Sequence, residues 1–265
     1  MMLVDSHCHL DDERLYPEVD AVLKRADAAG IKVLQTICTE RKDFPIISAL
    51  ADMYPNLYCS FGIHPHHADK DIVDEDEILE AAQHKKVIGI GETGLDYFYE
   101  NAPKEAQIES FKKHIRAARK LDLPVIIHSR DADDDTIAVM DEMREEGPYK
   151  ALFHCFSSST KLAEYGMKND VFFSASGIIT FKKSDEIREI FKKIPEDLLL
   201  VETDSPYLAP EPLRGKTCEP AYTAHTAQRL ADIREVTIEQ LAAATTSNFF
   251  ALFNKAKRPE EFDAA

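Results

Sequence analysis

The sequence predicts an α/β protein in which eight parallel strands close into a (β/α)8 TIM barrel. Short, nearly continuous apolar runs alternate with amphipathic segments, as in sheets whose parallel strands are covered on both faces by helices. The chain of 265 residues also has the length of such a barrel, which is typically about 250 residues. Since no glycine-rich phosphate loop follows any of the apolar runs, an open nucleotide-binding sheet is disfavoured.

The predicted strands are short and apolar, and the segments between them have helical periodicity. The clearest helix is expected over 104–121, where Ile108, Phe111 and Ile115 recur on one face. The predicted strands are 3–9, 31–39, 57–63, 87–95, 125–130, 151–156, 171–177 and 198–205. The other predicted helices are 43–54, 133–145, 159–168 and 184–193, with two extra C-terminal helices near 222–234 and 238–253.

A single domain over 1–265 is expected, because no Gly/Ser tract, charge block or repeat divides the chain. Residues 256–265 are expected to be a loosely ordered tail. The longest irregular stretch, 206–220, contains four prolines and follows the last strand. On a barrel, this stretch would lie over the face that carries catalysis.

Composition excludes several classes of protein. The formal net charge of -16 argues against a protein that coats nucleic acid through its overall charge. Five cysteines without a CxxC pair indicate reduced thiols in a cytoplasmic protein. Neither a leader peptide nor an apolar run long enough for a membrane helix is expected, so no membrane partner is predicted.

The first predicted strand places Asp5, His7 and His9 on one face, because side chains alternate across a strand. Two imidazoles roughly 6–7 Å apart on that face can converge on one metal ion. Taken alone, the pattern equally fits two hydrogen-bonded or solvated histidines at a strand end.

Ligand-type residues also end several of the other strands, which favours the metal interpretation because the strand ends of a barrel meet on one face. The predicted metal ligands are His7, His9, Glu92, His128, His154 and Asp204. The set suits two divalent ions, with Glu92 as the bridge and Asp204 holding a metal while accepting a proton from water. Its histidine content favours Zn, Mn or Fe over Mg.

Substrate contacts are expected from four further residues. His64 ends the third strand and is either a substrate contact or a structural cap. Arg130 shares a face with His128 and would hold a phosphate, unless it pairs with a carboxylate. Arg214 and Lys216 form a local basic pair in the long loop. The remaining histidines are expected in solvated loops or on the surface: His66, His67, His84, His114 and His225.

Several long motifs resemble the TatD family of metal-dependent deoxyribonucleases, within the amidohydrolase-like TIM-barrel superfamily. The resemblance covers essentially residues 3–253. The motifs are DSHCHL at 5–10, GIHPH at 62–66, GETGLDY at 91–97, HSRDA at 128–132, LFHCF at 152–156, VETDSPYL at 201–208 and TTSNF at 245–249.

The resemblance implies metal ligation by the same six residues and hydrolysis of phosphodiester bonds in DNA, with exonuclease-like action on strand ends. Family members are commonly described with Mg, and Zn or other ions are also known, so two divalent ions are expected and Zn, Mn or Mg remain open. Many amidohydrolases have a carboxylated lysine where this chain has Glu92, which favours phosphoester over amide hydrolysis.

Two alternatives stay open from the sequence. The same metals would serve a small-molecule amide or ester hydrolase, or the barrel would be a binding module without catalysis. One departure from the family is Cys218, which stands where an asparagine is usual and lacks the paired hydrogen bonds of an amide. The substrate is expected to be single-stranded DNA or a strand end, and the protein a monomer.

Overall fold

The structure, a computed structural model, describes residues 2–262 as a barrel of eight parallel strands paired in sequence order, β1 to β8. The predicted fold class is confirmed. The strands are β1 (Leu3–Cys8), β2 (Ile31–Thr36), β3 (Leu57–Phe61), β4 (Val87–Asp96), β5 (Val125–Arg130), β6 (Ala151–Phe153), β7 (Phe172–Ala175) and β8 (Leu199–Val201). The helices are α1 (Val19–Ala28), α2 (Phe44–Met53), α3 (Glu75–Ala81), α4 (Lys104–Leu121), α5 (Asp133–Glu145), α6 (Thr160–Lys168), α7 (Asp185–Lys193), α8 (Thr223–Arg234) and α9 (Ile238–Leu252).

Strands β6 and β8 are shorter than the sequence predicts. Cys155 and Asp204 adopt positive φ angles of 45° and 58°, so the backbone leaves the extended conformation soon after the last paired residue. These two turns aim the polar residues that follow the strands into the mouth of the barrel. Helices α1 and α3 were not predicted, because each is short, rich in charged residues and has only one or two buried apolar residues.

The barrel closes between its first and last strands through a few specific contacts. Cys8 forms a parallel bridge with Ser205, and the His9 N–H donates to the Ser205 carbonyl at 2.7 Å. The Asp5 carboxylate accepts from the Thr203 N–H at 2.9 Å and from the Thr203 hydroxyl at 2.6 Å. Residues of the DSHCHL motif therefore hydrogen-bond to the segment after β8 as well as facing the site.

The barrel interior is divided into an apolar layer and a polar layer. Ile126, Leu152 and Leu200 belong to a buried cluster at the amino ends of the strands, where Phe249 and Phe253 close the barrel. Two residues further along the same strands, the inward positions are occupied by polar side chains. The period of two along a strand therefore places the polar layer at the carboxyl ends.

The C-terminal segment contributes to this apolar layer. Ala256 and Phe262 are 8% and 9% exposed and belong to the same buried cluster. Residues 263–265 of the segment predicted to be loosely ordered lie outside the described residues.

The prediction that His114 lies on the surface was wrong. His114 is fully buried on α4, where its Nε2 accepts from the Ile63 N–H at 3.1 Å. Its neighbours Phe111 and Ile115 belong to the core, and the buried face of α4 is wide enough to include position 114. All five cysteines are free, and no helix among residues 2–262 is long and apolar enough to cross a membrane.

Replacing Gly62 with alanine is expected to destabilise the barrel, because a Cβ there would lie 2.4 Å from the Gly91 backbone. Such overpacking against backbone costs about 1–3 kcal/mol or more. Chemical denaturation measures the change in the free energy of unfolding. The control is Met53→Ala, a substitution at an exposed residue of α2 that should leave the free energy of unfolding nearly unchanged. Equal losses in the two variants would show that the close approach of β3 and β4 carries no cost.

Candidate metal centre

Three groups of candidate metal-ligating side chains, two of which share His7, lie at the carboxyl ends of the strands, and the ligand atoms within each group lie within 4.8 Å of one another. The groups are His7, His9 and Asp204; His7, His154 and Glu202; and His64, Glu92 and His128. All six predicted ligands are in these groups. The structure adds His64 and Glu202 to them.

Glu92 lies at the centre of the site, on β4. Its Oε1 lies 2.8 Å from His154 Nε2, 3.0 Å from His128 Nδ1 and 3.3 Å from His64 Nε2. Its Oε2 lies 3.3 Å from His7 Nε2. Burial raises the pKa of this carboxyl, yet the histidines around it hold the pKa well below its usual range. Glu92 is therefore an ionised carboxylate with four imidazoles converging on it.

Asp204 lies on the other side of the site, directly after β8. Its Oδ1 lies 3.3 Å from His9 Nε2 and 3.7 Å from His7 Nε2. Burial raises the pKa of Asp204, but the hydrogen bond from His9 and the charge of His7 lower it by more. The pKa of Asp204 is therefore below its usual value. Asp204 lines a cavity of about 1520 Å³ and is therefore an ionised group within reach of a ligand.

The residues fit a divalent metal, because several of their buried polar atoms lack partners within the described chain. Both ring nitrogens of His7, which is 0% exposed, accept and donate no hydrogen bond. His154 Nδ1 and Glu202 Oε1 lie 3.4 Å apart without forming a hydrogen bond. A buried nitrogen or carboxylate oxygen without a hydrogen bond costs folding free energy unless a ligand binds it. Imidazole and carboxylate are common ligands of zinc and manganese.

Two residues that support the site were not singled out from the sequence. Glu202 is two positions before Asp204, a spacing that could have identified it. Asp96 is four positions after Glu92 on β4 and therefore faces the same way. Its Oδ2 lies 3.0 Å from Nε2 of both His128 and His66, so it orients the His128 ring with Nδ1 toward Glu92.

Of the four predicted substrate contacts, two line the cavity over the site and two do not. His64 and Arg130 line a cavity of about 1520 Å³ that opens over the three groups. Arg214 instead lies over the ring of Phe181, with 3.7 Å between the guanidinium carbon and the ring centroid. Neither Arg214 nor Lys216 is among the described residues that line the cavity.

Comparison with known proteins assigns the family. Residues 4–254 match the family described as TatD related DNase. The chain belongs to the TatD family. It is 39% identical over 257 residues to the metal-dependent hydrolase YcfH of Escherichia coli (strain K12), covering 96% of both chains. It is 37% identical over 254 residues to the metal-dependent hydrolase YabD of Bacillus subtilis (strain 168), covering 95% of this chain and 99% of that protein.

Solved structures of the TatD family agree with this assignment. The TatD homologue YJJV of Escherichia coli k12 superposes with a TM-score of 0.86 at 30% identity, covering 95% of this chain and 98% of that one. A TatD family hydrolase of Entamoeba histolytica has the same fold, with a TM-score of 0.85 over 96% of this chain and 98% of that one, at 22% identity. The protein is thus a metal-dependent hydrolase of the TatD family.

Metal binding is expected to release protons at neutral pH. Burial lowers the pKa of His9, but the hydrogen bond and charge of Asp204 raise it to about 9, so the ring is protonated at pH 7 without a metal. A ligating imidazole must be neutral, so the apparent affinity should rise with pH up to about the pKa of His9.

Calorimetric titration of Zn²⁺ at pH 7, in two buffers of different ionisation enthalpy, counts the released protons. We expect at least one proton per protein, and fewer for His9→Gln. Binding heats that do not depend on the buffer would contradict this prediction. His225→Gln is the control, since His225 is exposed and belongs to none of the three ligand groups.

Proposed function

We propose that this TatD family protein hydrolyses phosphodiester bonds of DNA at strand ends, using two divalent ions. The observation that carries the proposal is the position of Glu92. Its two oxygens face different histidines, with His7 on one side and His128 and His154 on the other. A carboxylate placed between two sets of imidazoles suits a pair of ions that share one bridging ligand.

In this proposal, His7, His9 and Asp204 would hold one ion, and His64, His128 and His154 would supply ligands for the other, with Glu92 available to both. Bound divalent ions would supply Lewis-acid polarisation of the phosphate and activation of water at neutral pH. Zn, Mn and Mg are the candidates, and the imidazoles favour the first two.

The chain's own residues supply the remaining chemistry. Asp204 is ionised and faces the cavity, so its carboxylate is placed to orient the attacking water and accept its proton. Asp96 holds His128 in one ring orientation throughout. Arg130 lines the same cavity and offers a planar guanidinium to a phosphate. For Arg214 and Lys216, which do not line the cavity, we propose no phosphate contact.

The charge of the protein restricts the form of the substrate. With a net charge of -16, the surface gives a long duplex little electrostatic affinity. A strand end or a short single strand needs only a few phosphate contacts, so binding should depend weakly on salt concentration. A monomeric, cytoplasmic enzyme stays a prediction of the sequence.

The test is an assay of chelator-treated protein on single-stranded DNA labelled at the 5′ or the 3′ end, with Mg²⁺, Mn²⁺ or Zn²⁺ added back. Shortening from one end that requires a metal would support the proposal and give its direction. Absence of cleavage with every metal, in protein that still binds the ions, would overturn it. The same preparation would then be tested on small esters and amides, the alternative that the same ligand set allows.

A further inference from the structure

Two exposed aromatic side chains follow β4, and the second of them lines the cavity. Phe98 and Tyr99 are 53% and 52% exposed. The backbone N–H groups of both residues donate to Asp96 Oδ1 at 3.0 Å. The Tyr99 ring lines the cavity and contacts His66 edge-on, with the ring centroids 5.3 Å apart. The backbone that carries the two rings is thus held by the same carboxylate that orients His128.

A cation without an acidic partner lies against these rings. The guanidinium carbon of Arg130 is 3.9 Å from the centroid of the Phe98 ring and 4.8 Å from that of Tyr99. Arg130 is exposed, and among residues 2–262 no carboxylate pairs with it. We call Phe98, Tyr99 and Arg130 the aromatic rim. Stacked aromatic and guanidinium planes of this kind are surfaces on which unpaired nucleic-acid bases stack.

Of the three other Lys and Arg side chains that line the cavity, two are engaged, and the third, Lys183, is exposed without a carboxylate partner among residues 2–262. Lys104 lies over the Tyr97 ring at 3.9 Å, and Lys161 pairs with Asp134 at 2.5 Å. Four carboxylates line the same side of the cavity, which weakens attraction for a polyanion: Asp131, Asp133, Asp134 and Asp135. Affinity for a nucleic-acid strand at this site must therefore come largely from contacts with the bases. Base stacking on an aromatic ring supplies that affinity without requiring positive charge.

We propose that the aromatic rim stacks the unpaired base of a nucleotide next to the phosphodiester bond that is cleaved, while Arg130 contacts the phosphate of that nucleotide. This inference rests on the proposed function. In a duplex the faces of each base are covered by neighbouring base pairs, so a base must leave the stack before it can contact Phe98 or Tyr99. The rim would thus select single-stranded ends over paired ends.

The test uses the Mn²⁺-loaded protein and a short single strand whose phosphorothioate linkages resist cleavage. The terminal bases are 2-aminopurine, whose fluorescence falls when the base stacks. A second strand carries tetrahydrofuran abasic residues at the same positions. We expect wild-type protein to quench the 2-aminopurine and to bind the first strand about ten-fold more tightly than Phe98→Ala/Tyr99→Ala does. Both proteins should bind the abasic strand equally.

Two single variants make the comparison specific. Tyr99→Phe keeps the ring and should quench as wild type does. Tyr16→Ala removes another exposed tyrosine, 44% exposed and not lining the cavity, and should also behave as wild type. A loss confined to the variants that lack rim aromatics would support stacking at this place.

Three outcomes would overturn the inference. One is quenching by Phe98→Ala/Tyr99→Ala equal to that of wild type, and another is equal weakening on the base-containing and abasic strands. If wild-type protein still cleaves the labelled strand in either case, the proposed function stands and only the rim is wrongly assigned. If wild-type protein neither binds nor cleaves any strand with any metal, the proposed function fails and the inference fails with it.

Discussion

Replacing Glu92 with alanine is expected to abolish hydrolysis, with a fall in kcat/KM of at least about 10³-fold, because one side chain serves both halves of the site. Its oxygens lie within 3.3 Å of His7, His64, His128 and His154. Without the carboxylate, four buried or partly buried imidazoles face one another without its compensating negative charge. The variant should therefore also bind less metal, which elemental analysis of purified protein measures alongside the rate.

The matched control is Glu109→Ala, an exposed glutamate on α4 that belongs to none of the ligand groups. It should keep wild-type activity and metal content. Activity of Glu92→Ala within ten-fold of wild type, in protein of normal thermal stability, would show that the reaction does not depend on this carboxylate.

Replacing Asp204 with asparagine is expected to reduce kcat by about 10²–10⁴-fold while leaving the fold intact. Asparagine has nearly the shape of aspartate and keeps one oxygen near His9, but its amide does not accept a proton from water. The Glu92-centred histidines are unchanged, so the variant should retain metal there. Steady-state kinetics and metal analysis of the same preparation separate the two effects.

The outcome that would contradict this role is a loss of activity restored fully by excess metal, since Asp204 would then act as a ligand alone. Asp197→Asn, at an exposed carboxylate before β8, is the control and should be indistinguishable from wild type. The two predictions together distinguish a residue that holds the metals from one that also moves a proton.

The sequence predicted most of the architecture because local patterns determine it. The bounds of β5, α4 and α5 agree with the prediction, since each has a clear apolar pattern in the sequence. Errors arose where long-range packing overrides the local pattern. Position 114 lies on the edge of an apolar stripe, and only the packing of α4 against the segment after β3 buries it.

The candidate metal ligands could be predicted from the sequence, but the positions of the residues around them could not. His, Glu and Asp at the ends of apolar runs are visible in the sequence because a barrel gathers strand ends on one face. The roles of Asp96 and Arg214 depend on which side chains lie next to them in the folded protein, which the local sequence does not give. Asp96 reaches two histidines from other strand ends, and Arg214 lies over Phe181 instead of facing the cavity.

The contacts that close the barrel also have a consequence for the order of events during biosynthesis. Asp5 is made before its partner Thr203, which follows 198 positions later. His7 and His9 face Asp204 across the same seam. A growing chain that still lacks β8 holds no complete ligand group containing His9, and contacts of such long sequence separation form late in folding. The complete ligand set therefore exists only after residue 204 has been made, and no translation fragment that stops before that residue carries it.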